Sequence, residues 1–324
     1  MGSIYFKSIL FTLILSSAFI TSCSWNDIGD IALDKLADSE PNPLFVVVGD
    51  SGAIYYSSDA QSWTAAVNPT SYSLYGVVYG NGQFVAVGNM GAVLTSSDGI
   101  TWTDRTFGTN IPYYCIAYGN GTYVMSGDWQ SMQVQSWTST DGITWADHRF
   151  SNSPGYHIRG ITFGNGRFYM MGYNAAGWYS DDNGVTWTAS NQSGSIAYNG
   201  AVYANSKFTV VGEVGSVNES STADAGTWTT ANSGTLPTQI YAITYGNGRY
   251  VVVGFFGGAS WSSNGTTWTP ITTNTMSNFY SIAYGNGLYV AAGDSGTIVY
   301  STDLSSCSQV TIGSATLRGI AYKE

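Results

Sequence analysis

Short apolar runs alternate with glycine-rich turns from residue 44 to the end of the chain. The stretch from residue 75 to residue 102 shows the pattern most clearly, with three runs rich in Val, Tyr, Phe and Ala and a fourth that begins at Thr101. Runs of this length and composition, bounded by turn residues, are typical of β-strands. Asn81-Gly82 suits the tight turn of a hairpin, because both residues tolerate positive φ. The stretch therefore predicts one small antiparallel sheet of four strands.

The same unit recurs along the chain with a nearly constant period. Its opening strand and first hairpin are recognisable again near residues 114, 159, 199, 241 and 280. A tryptophan closes each unit, at Trp63, Trp102, Trp145, Trp187, Trp228 and Trp268. Cys307 takes its place in a seventh unit, and successive positions are 39 to 43 residues apart. Four strands at this period are typical of the blades of a β-propeller.

The two ends of the repeat region complement each other. The first unit begins at Leu44 without an opening strand, whereas Leu317–Tyr322 form an opening strand that no further unit follows. Joined, the two segments make one complete blade. We therefore predict an all-β fold for residues 44–324, a seven-bladed β-propeller of four-stranded antiparallel blades, closed by pairing the C-terminal strand with the N-terminal strands. A ring closed in this way has no free sheet edge at which it could open.

Residues 1–22 carry the features of an export signal. Lys7 is followed by an apolar stretch, Ile9–Ile20, that is too short to span a bilayer as a helix. Ile20-Thr21-Ser22-Cys23 resembles the end of a bacterial lipoprotein signal, in which an aliphatic residue and two small residues precede the lipid-modified cysteine. The resemblance implies lipid on Cys23, with residues 23–43 as lipidated cysteine and acidic tether. An ordinary secretory peptide, with Cys23 as a bystander, is the alternative.

This interpretation places the protein in the bacterial cell envelope, at the outer membrane, in the periplasm or on the cell surface, held by lipid alone. Removing residues 1–22 would remove only Lys7 of the 10 basic residues, which leaves 9 against 20 acidic residues. This excess of acidic residues argues against nucleic acid as a partner and against binding to a membrane through a basic surface patch. Cys115 and Cys307 fall in blades that are not adjacent, too far apart for a disulfide. We expect a monomer stabilised by ring closure and packing between blades.

The composition offers little to a catalytic site. The chain has 2 His and shows no phosphate-binding loop, dinucleotide-binding fingerprint or zinc-ligand spacing, so the sequence indicates neither a cofactor nor a metal. The Gly-Asn-Gly segments recur at predicted hairpin tips and open no helix. We therefore interpret them as turns rather than as phosphate loops.

The turn before each closing tryptophan carries a motif. Ser180–Trp187 fits the pattern Ser-x-Asp-x-Gly-x-Thr-Trp, and shorter versions end at Trp102, Trp145 and Trp268. On these motifs residues 44–324 resemble the Asp-box, or BNR-repeat, propellers, a group that includes sialidases and the photosystem II assembly factors of chloroplasts and cyanobacteria. In that family the carboxylate binds backbone amides of the turn and the tryptophan packs between sheet layers, as the chemistry of Asp and Asn at turns allows. The resemblance implies structural roles for Asp98, Asp141, Asp182, Asn264, Trp102, Trp145, Trp187 and Trp268.

Function in a propeller is normally carried on the face opposite these turns, where the opening strands begin. The residue before each opening strand would ring the mouth of the central channel, and the seven positions hold Tyr75, Tyr114, Arg159, Asn199, Tyr241, Tyr280 and Arg318. The turn after each second strand adds Asp50, Asn89, Asp128, Asn174, Glu213 and Asp294. Aromatic platforms beside carboxylates and guanidinium groups suit a sugar or a peptide. The predicted ligand-binding residues are Tyr75, Tyr114, Arg159, Tyr241, Tyr280, Arg318, Asp50, Asp128 and Asp294, with packing between blades as the alternative role.

Two functions remain open at this point. The first is a binding or scaffolding propeller, not an enzyme, that holds a protein, peptide or glycan over its mouth. The second is a glycoside hydrolase of sialidase type. Sialidases share three arginines that converge on the substrate carboxylate and a Tyr nucleophile with a Glu partner, and neither is recognisable in this sequence. Other glycosidases need two carboxylates at a fixed separation, and the sequence can place no such pair. We therefore favour the binding module.

Overall fold

Seven antiparallel sheets, each built on four strands, make up the structure of the protein, a computed structural model. It describes residues 45–127, 133–151, 157–192, 195–231 and 233–323. Cys23 and the predicted signal and tether lie outside these residues. Within the described part of the chain the fold is nearly all β, which confirms the predicted seven-bladed propeller.

The blades are numbered 1 to 7 along the chain, and the strands of each blade run outward from the central channel. The inner strands of blades 2 to 7 are Leu74–Gly80, Tyr113–Gly119, Ile158–Gly164, Tyr198–Ala204, Ile240–Gly246 and Phe279–Gly285. The second strands are Gln83–Gly88, Thr122–Gly127, Arg167–Gly172, Lys207–Gly212, Arg249–Gly254 and Leu288–Gly293.

The outer half of each blade is formed by shorter strands. The third strands are Val93–Ser96, Ser136–Ser139, Gly177–Ser180, Val217–Ser220, Ala259–Ser262 and Thr297–Ser301. The outermost strands are Thr103–Asp104, Ala146–Asp147, Thr188–Ala189, Thr229–Thr230, Thr267–Pro270 and Ser308–Thr311. Two small additions complete the β-structure, an antiparallel pair of Gln133–Val134 with Phe150–Ser151 and a parallel pair of Ser233–Gly234 with Thr267–Pro270.

Blade 1 is assembled from both ends of the described chain. Phe45–Gly49, Ile54–Ser57 and Thr64–Ala65 form its outer three strands, and Leu317–Tyr322 is its inner strand. Phe45 lies opposite Tyr322, and Val47 opposite Ile320, in an antiparallel pairing. Leu317–Tyr322 also packs beside the inner strands of blades 2 and 7. The predicted closure is therefore confirmed, and the ring of inner strands is continuous.

The hairpins explain why these sequences form blades. Asn81 and Gly82 both have positive φ, 46° and 79°, the geometry of the tight turn that matches the twist of antiparallel strands. The second strands that follow are almost completely buried, because each lies between two strands of its own sheet and both sheet faces pack against neighbouring blades. This explains why apolar residues run continuously there instead of alternating with polar ones.

Glycine and aromatic side chains interlock one blade with the next. A Cβ atom on Gly80, at the end of the inner strand of blade 2, would lie 2.3 Å from the ring of Tyr118 in blade 3. Gly119 with Phe163 and Gly164 with Tyr203 repeat this close approach. The ring of Tyr118 also packs on Tyr123 in its own blade, with ring centroids 4.7 Å apart. These three interblade contacts therefore depend on a missing side chain in one blade and a ring in the next.

The helical content of the described residues is confined to short turns of three residues after second strands, at Asp50–Gly52, Asn89–Gly91, Tyr173–Ala175, Phe255–Gly257 and Asp294–Gly296. None of the helices in this part of the chain is long and apolar enough to cross a membrane.

Deleting residues 317–324 should abolish cooperative folding. The deletion removes the buried side chains of Leu317 and Ile320, each worth about 2–5 kcal/mol, against a total stability of about 5–15 kcal/mol for a typical domain. It also leaves Phe45–Gly49 as an unpaired edge. Thermal melting followed by circular dichroism, with light scattering for aggregation, measures the effect. Deletion of residues 323–324 alone is the control, and a 317–324 deletion that melts like this control would contradict closure by the last strand.

Candidate functional site

Each inner strand carries a β-bulge at its second residue. In blade 2, Leu74 pairs with Gly88 and Gly76 pairs with Val87, so Tyr75 has no partner across the ladder. The same shift in register occurs in all seven blades and leaves out Tyr75, Tyr114, Arg159, Asn199, Tyr241, Tyr280 and Arg318. A bulge redirects the side chain of the extra residue. The seven positions that the repeat placed at the channel mouth are therefore bulge residues.

A glycine at the end of each second strand permits the bulge. A Cβ atom on Gly88 would lie 2.1 Å from the carbonyl oxygen of Ser73, the residue before the inner strand, which is far inside contact distance. The next residue, Asn89, donates its amide hydrogen to that same carbonyl at 2.8 Å. Equivalent glycines in the other six blades would place a Cβ atom 1.9–2.2 Å from the matching carbonyl. Only glycine allows the two strands to approach so closely here.

The seven bulge residues line a single cavity at one end of the channel. The cavity has a volume of about 480 Å³, and His157 and Tyr173 complete its wall. Beneath it the channel continues past small residues such as Gly76, Gly160 and Gly200 into a narrower space of about 210 Å³. A cavity of this size is typical of sites for small ligands or for a few side chains of a larger one.

One arginine of the cavity is neutralised within its own blade. Arg318 donates from Nε and Nη2 to the two carboxylate oxygens of Asp50, at 2.6 and 2.9 Å. The guanidinium group also lies 5.7 and 5.4 Å from the ring centroids of Tyr75 and Tyr280. The hydrogen bonds from Arg318 lower the pKa of Asp50 and raise that of Arg318 itself. Asp50 is thus committed to an internal ion pair that spans the ring closure.

The second arginine is placed differently. Tyr173 occupies in blade 4 the place in the turn that Asp50 occupies in blade 1, and Arg159 stacks 4.2 Å from its ring centroid. Arg159 also donates to Tyr173 Oη and, at 3.1 Å, to Asn199 Oδ1. It forms no ion pair with any carboxylate among the described residues. Burial lowers the pKa of Arg159, and the negative charge of Glu213 offsets only part of this lowering.

Tyrosines fill the wall between the two arginines. Tyr75 packs on Tyr114 and Tyr241 on Tyr280, with ring centroids 5.3 Å apart in both pairs. Burial raises the pKa of Tyr75, Tyr241 and Tyr280, so their hydroxyls stay protonated at neutral pH. The wall therefore offers uncharged rings and hydroxyl groups to a ligand.

The remaining predicted residues lie around the cavity or outside the described chain. Asp294 accepts a hydrogen bond from Asn278 Nδ2 at 2.8 Å and does not line the cavity. Asp128 lies outside the described residues. Asn174 had been aligned one position too far along the chain, because Ala175 replaces the usual glycine of this turn. Asn174 has a φ of 54°, and Tyr173 is the true counterpart of Asp50.

Three wall residues were not predicted as ligand-binding residues. Asn199 was recognised as part of the ring but left out of the predicted site, and it uses both ends of its amide internally, since Nδ2 donates to the carbonyl of Ile240 at 2.8 Å. Tyr173 and His157 were missed. Correct alignment of the turn on Gly172 would have found Tyr173. The sequence holds no comparable signal for His157, which precedes the inner strand of blade 4.

The Asp-box turns lie at the opposite end of the blades. In blade 2 the Oδ1 atom of Asp98 accepts from the amides of Ile100 and Thr101, each at 2.8 Å, and Trp102 Nε1 donates to the carbonyl of Gly99 at 3.1 Å. Asp141 and Asn264 accept two turn amides in the same way, and Asp182 accepts the amide and the hydroxyl of Thr186. The amide hydrogen bonds of Thr144 and Ile143 lower the pKa of Asp141 to about 2.

No family model matches the sequence, and no curated protein does. Solved structures are similar in fold. YCF48 bound to a D1 peptide is 19% identical with a TM-score of 0.59, and the match covers 74% of this chain and 82% of that one. YCF48 from Cyanidioschyzon merolae is 16% identical with a TM-score of 0.61, covering 79% and 90%. The WD40 β-propeller domain of Doa1 is 11% identical with a TM-score of 0.61, covering 85% and 90%. At these identities the likeness shows the propeller fold alone.

Gly88→Ala should destabilise the protein and disturb the mouth. Gly88 has extended backbone with φ of −169°, so the whole cost arises from the clash of the new methyl group with the carbonyl of Ser73. We expect a loss of about 1–3 kcal/mol in the free energy of unfolding, measured by urea titration. The comparison is Gly82→Ala, where no atom lies within 4 Å of the new Cβ, so any loss of stability comes from the φ of 79° and not from a clash. Gly88→Ala should also change the near-ultraviolet circular dichroism of the mouth tyrosines, whereas Gly82→Ala should not. Unchanged stability of Gly88→Ala would contradict the role given to this glycine.

Proposed function

We propose that this propeller is a binding module without catalytic activity that holds an extended peptide segment at the channel mouth. The observation that carries the proposal is the half-buried guanidinium group of Arg159, which has no carboxylate partner among the described residues. A carboxylate on the ligand would supply that partner. It could be a free C-terminus or an acidic side chain.

The contrast between the two arginines supports a ligand of this charge. Arg318 already has Asp50, so a carboxylate bound to Arg318 would have to displace an internal one. Blade 4 places Tyr173 where blade 1 places Asp50, so within the described residues Arg159 stacks on an aromatic ring instead of pairing with a carboxylate. A partly desolvated cation gains more from an anionic partner than a solvated one does.

The polar groups of the wall favour a peptide over a glycan. A sugar needs many hydrogen-bonding partners, yet both carboxylate oxygens of Asp50 and both ends of the Asn199 amide are engaged within the protein. The tyrosine rings offer flat apolar surface that suits the backbone and apolar side chains of a peptide. The structurally similar YCF48 has been solved with a peptide, the D1 peptide, and this agrees with the same use of a propeller here.

The state of the carboxylates supports a module that is not an enzyme. A glycosidase needs a carboxylic acid with a raised pKa beside a second carboxylate. Asp50 instead has a lowered pKa, which makes it a poor proton donor. Arg159 and Arg318 are the arginines that line the cavity within the described residues, one fewer than the sialidase arrangement uses.

Arg159→Ala should weaken peptide binding about 10- to 100-fold, because it removes a charge-assisted hydrogen bond that contributes about 1.5–3 kcal/mol to the binding free energy. The probe is an array of random decapeptides, each made with a free C-terminus and as the C-terminal amide. Selected peptides are titrated by fluorescence anisotropy. Amidation, or replacement of Asp and Glu by Asn and Gln, shows which carboxylate contacts Arg159.

The matched control is Arg105→Ala. Arg105 lies just beyond the outermost strand of blade 2 and bonds Thr95 Oγ1 at 3.4 Å, away from the mouth. A panel of chromogenic glycosides is assayed in parallel. Equal binding by the two variants would overturn the proposal, and turnover of a glycoside that Arg159→Ala abolishes would favour the hydrolase.

We further propose that Cys23 carries lipid and anchors the protein to a membrane of the bacterial envelope. The support is the match of Ile20–Cys23 to the lipoprotein signal. Cys23→Ala should abolish incorporation of a radiolabelled fatty acid and move the protein from the membrane fraction to the soluble fraction. Cys115→Ala is the control, because this cysteine is buried within blade 3. Unchanged labelling of Cys23→Ala would rule out this anchor.

A further inference from the structure

In six blades the described turn between the second and third strands, on the same face as the cavity, holds a residue with left-handed backbone. These residues are Ser51, Met90, Asn174, Val214, Phe256 and Ser295, with φ between 52° and 57°. Serine and asparagine are common choices at a turn. A β-branched or bulky side chain with positive φ is a backbone outlier. Blades 5 and 6 nevertheless place Val214 and Phe256 there.

These two side chains are largely exposed, although the ring of Phe256 contacts that of Phe255. Val214 is 74% exposed and Phe256 is 59% exposed. Their backbone conformation is unfavourable, and most of their apolar surface remains in water. Glycine or asparagine at either position would therefore serve the stability of the fold equally well. Backbone strain that the fold does not need points to a function.

The two residues belong to a continuous apolar surface. Leu236 and Pro237 line a groove of about 430 Å³ together with Val214. A Cβ atom on Gly258, at the end of the turn in blade 6, would lie 2.8 Å from Pro237, which shows that the groove adjoins this turn. Phe255 packs on Phe256 with centroids 5.6 Å apart. We call this surface the apolar rim, formed by Val214, Leu236, Pro237, Phe255 and Phe256.

The apolar rim adjoins the cavity. The amide of Phe255 donates to the carbonyl of Gln239 at 2.9 Å, and Gln239 Oε1 accepts from the hydroxyl of the wall residue Tyr241 at 2.8 Å. Phe255 holds in blade 6 the place in the turn that Tyr173 holds in blade 4 and Asp50 in blade 1, and both of those residues contact an arginine of the mouth. The corresponding turns of blades 1 and 7 carry Asp50-Ser51 and Asp294-Ser295 instead. The first residue of this turn is therefore apolar in blade 6 but acidic in blades 1, 5 and 7, where it is Asp50, Glu213 and Asp294.

We propose that the apolar rim is the second contact surface of the same peptide, an inference that rests on the proposed function. The ligand is then an extended segment whose carboxylate pairs with Arg159 and whose apolar side chains lie across blades 5 and 6. Alternate side chains of an extended peptide point the same way, so every second residue can contact the rim. The carboxylate of Asp294 in blade 7 repels a ligand carboxylate from that side of the rim.

A peptide fits the rim better than a membrane surface or a second copy of the chain. The rim adjoins a cavity that holds a guanidinium group, which a hydrocarbon layer would leave unpaired. The net charge of −10 disfavours contact with anionic lipid. Both alternatives become outcomes of the test below.

The test uses Val214→Gly and Phe256→Gly, which remove the side chain and relax the backbone together. We expect each variant to melt at or above the temperature of the unaltered chain. We expect each to bind the array-selected decapeptides about tenfold more weakly, since 1.4 kcal/mol of lost apolar burial corresponds to that factor. Ser295→Gly is the control, because it relaxes the same backbone position in blade 7 without removing apolar surface, and its binding should not change.

A double-mutant cycle locates the contact. Replacing one apolar residue of a selected peptide by Ser should weaken binding to the unaltered chain more than to Phe256→Gly. A lowered melting temperature of Phe256→Gly would make the ring structural and overturn the inference. Unchanged binding by the rim variants, with Arg159→Ala still defective, would overturn the rim and leave the proposed function intact. If Arg159→Ala also binds normally, the proposed function fails.

Two further measurements separate the alternative occupants. Binding to phosphatidylcholine vesicles that Phe256→Gly abolishes, with peptide affinity unchanged, would assign the rim to a membrane. A concentration-dependent dimer in analytical ultracentrifugation that Phe256→Gly dissociates would assign it to a second copy. Either result would overturn the assignment of the rim to the peptide.

Discussion

The mouth of this propeller depends on the close approach of two neighbouring strands in each blade. A glycine at the end of the second strand, such as Gly88, lets the chain pass within contact distance of the carbonyl that precedes the inner strand. The resulting bulge redirects one side chain per blade, and seven of them converge on one cavity. The backbone thus provides seven equivalent positions, whatever side chains occupy them. Which residue stands at each position then decides what the cavity can bind.

The electrostatics of the cavity arise from a difference between two otherwise equivalent blades. In blade 1 the arginine forms an ion pair with Asp50, whereas in blade 4 the arginine stacks on the ring of Tyr173. The first arrangement is internally neutral and stabilises the ring, whereas the second keeps a partly buried positive charge. A repeat architecture allows this contrast, because a single substitution in one unit leaves the backbone of the others unchanged.

The repeat period predicts the blade number, the apolar runs and turns predict the strand order, and the complementary ends of the repeat region predict the closure. The same alignment placed Tyr75 and Arg159 on one ring. It could not show that these residues lie on bulges. A glycine such as Gly88 indicates a close approach of the backbone, but the sequence does not show that the carbonyl of Ser73 is the group that approaches it. It also misplaced Asn174, where Ala175 had replaced the glycine that marks the turn. Whether Arg159 has a carboxylate partner depends on side-chain positions in three dimensions, which no local pattern encodes.

The ion pair of Arg318 with Asp50 joins residues 268 positions apart, one in the first described turn and one in the last strand. During synthesis the second residue emerges long after the first, so the cavity wall near blade 1 cannot exist until the chain is almost complete. Contacts between such distant residues form late and slowly, after the intervening chain has been ordered. Completion of the mouth and completion of folding are therefore coupled. A chain that stalls with six blades formed would lack part of its mouth, so capture of a ligand would report on a finished molecule.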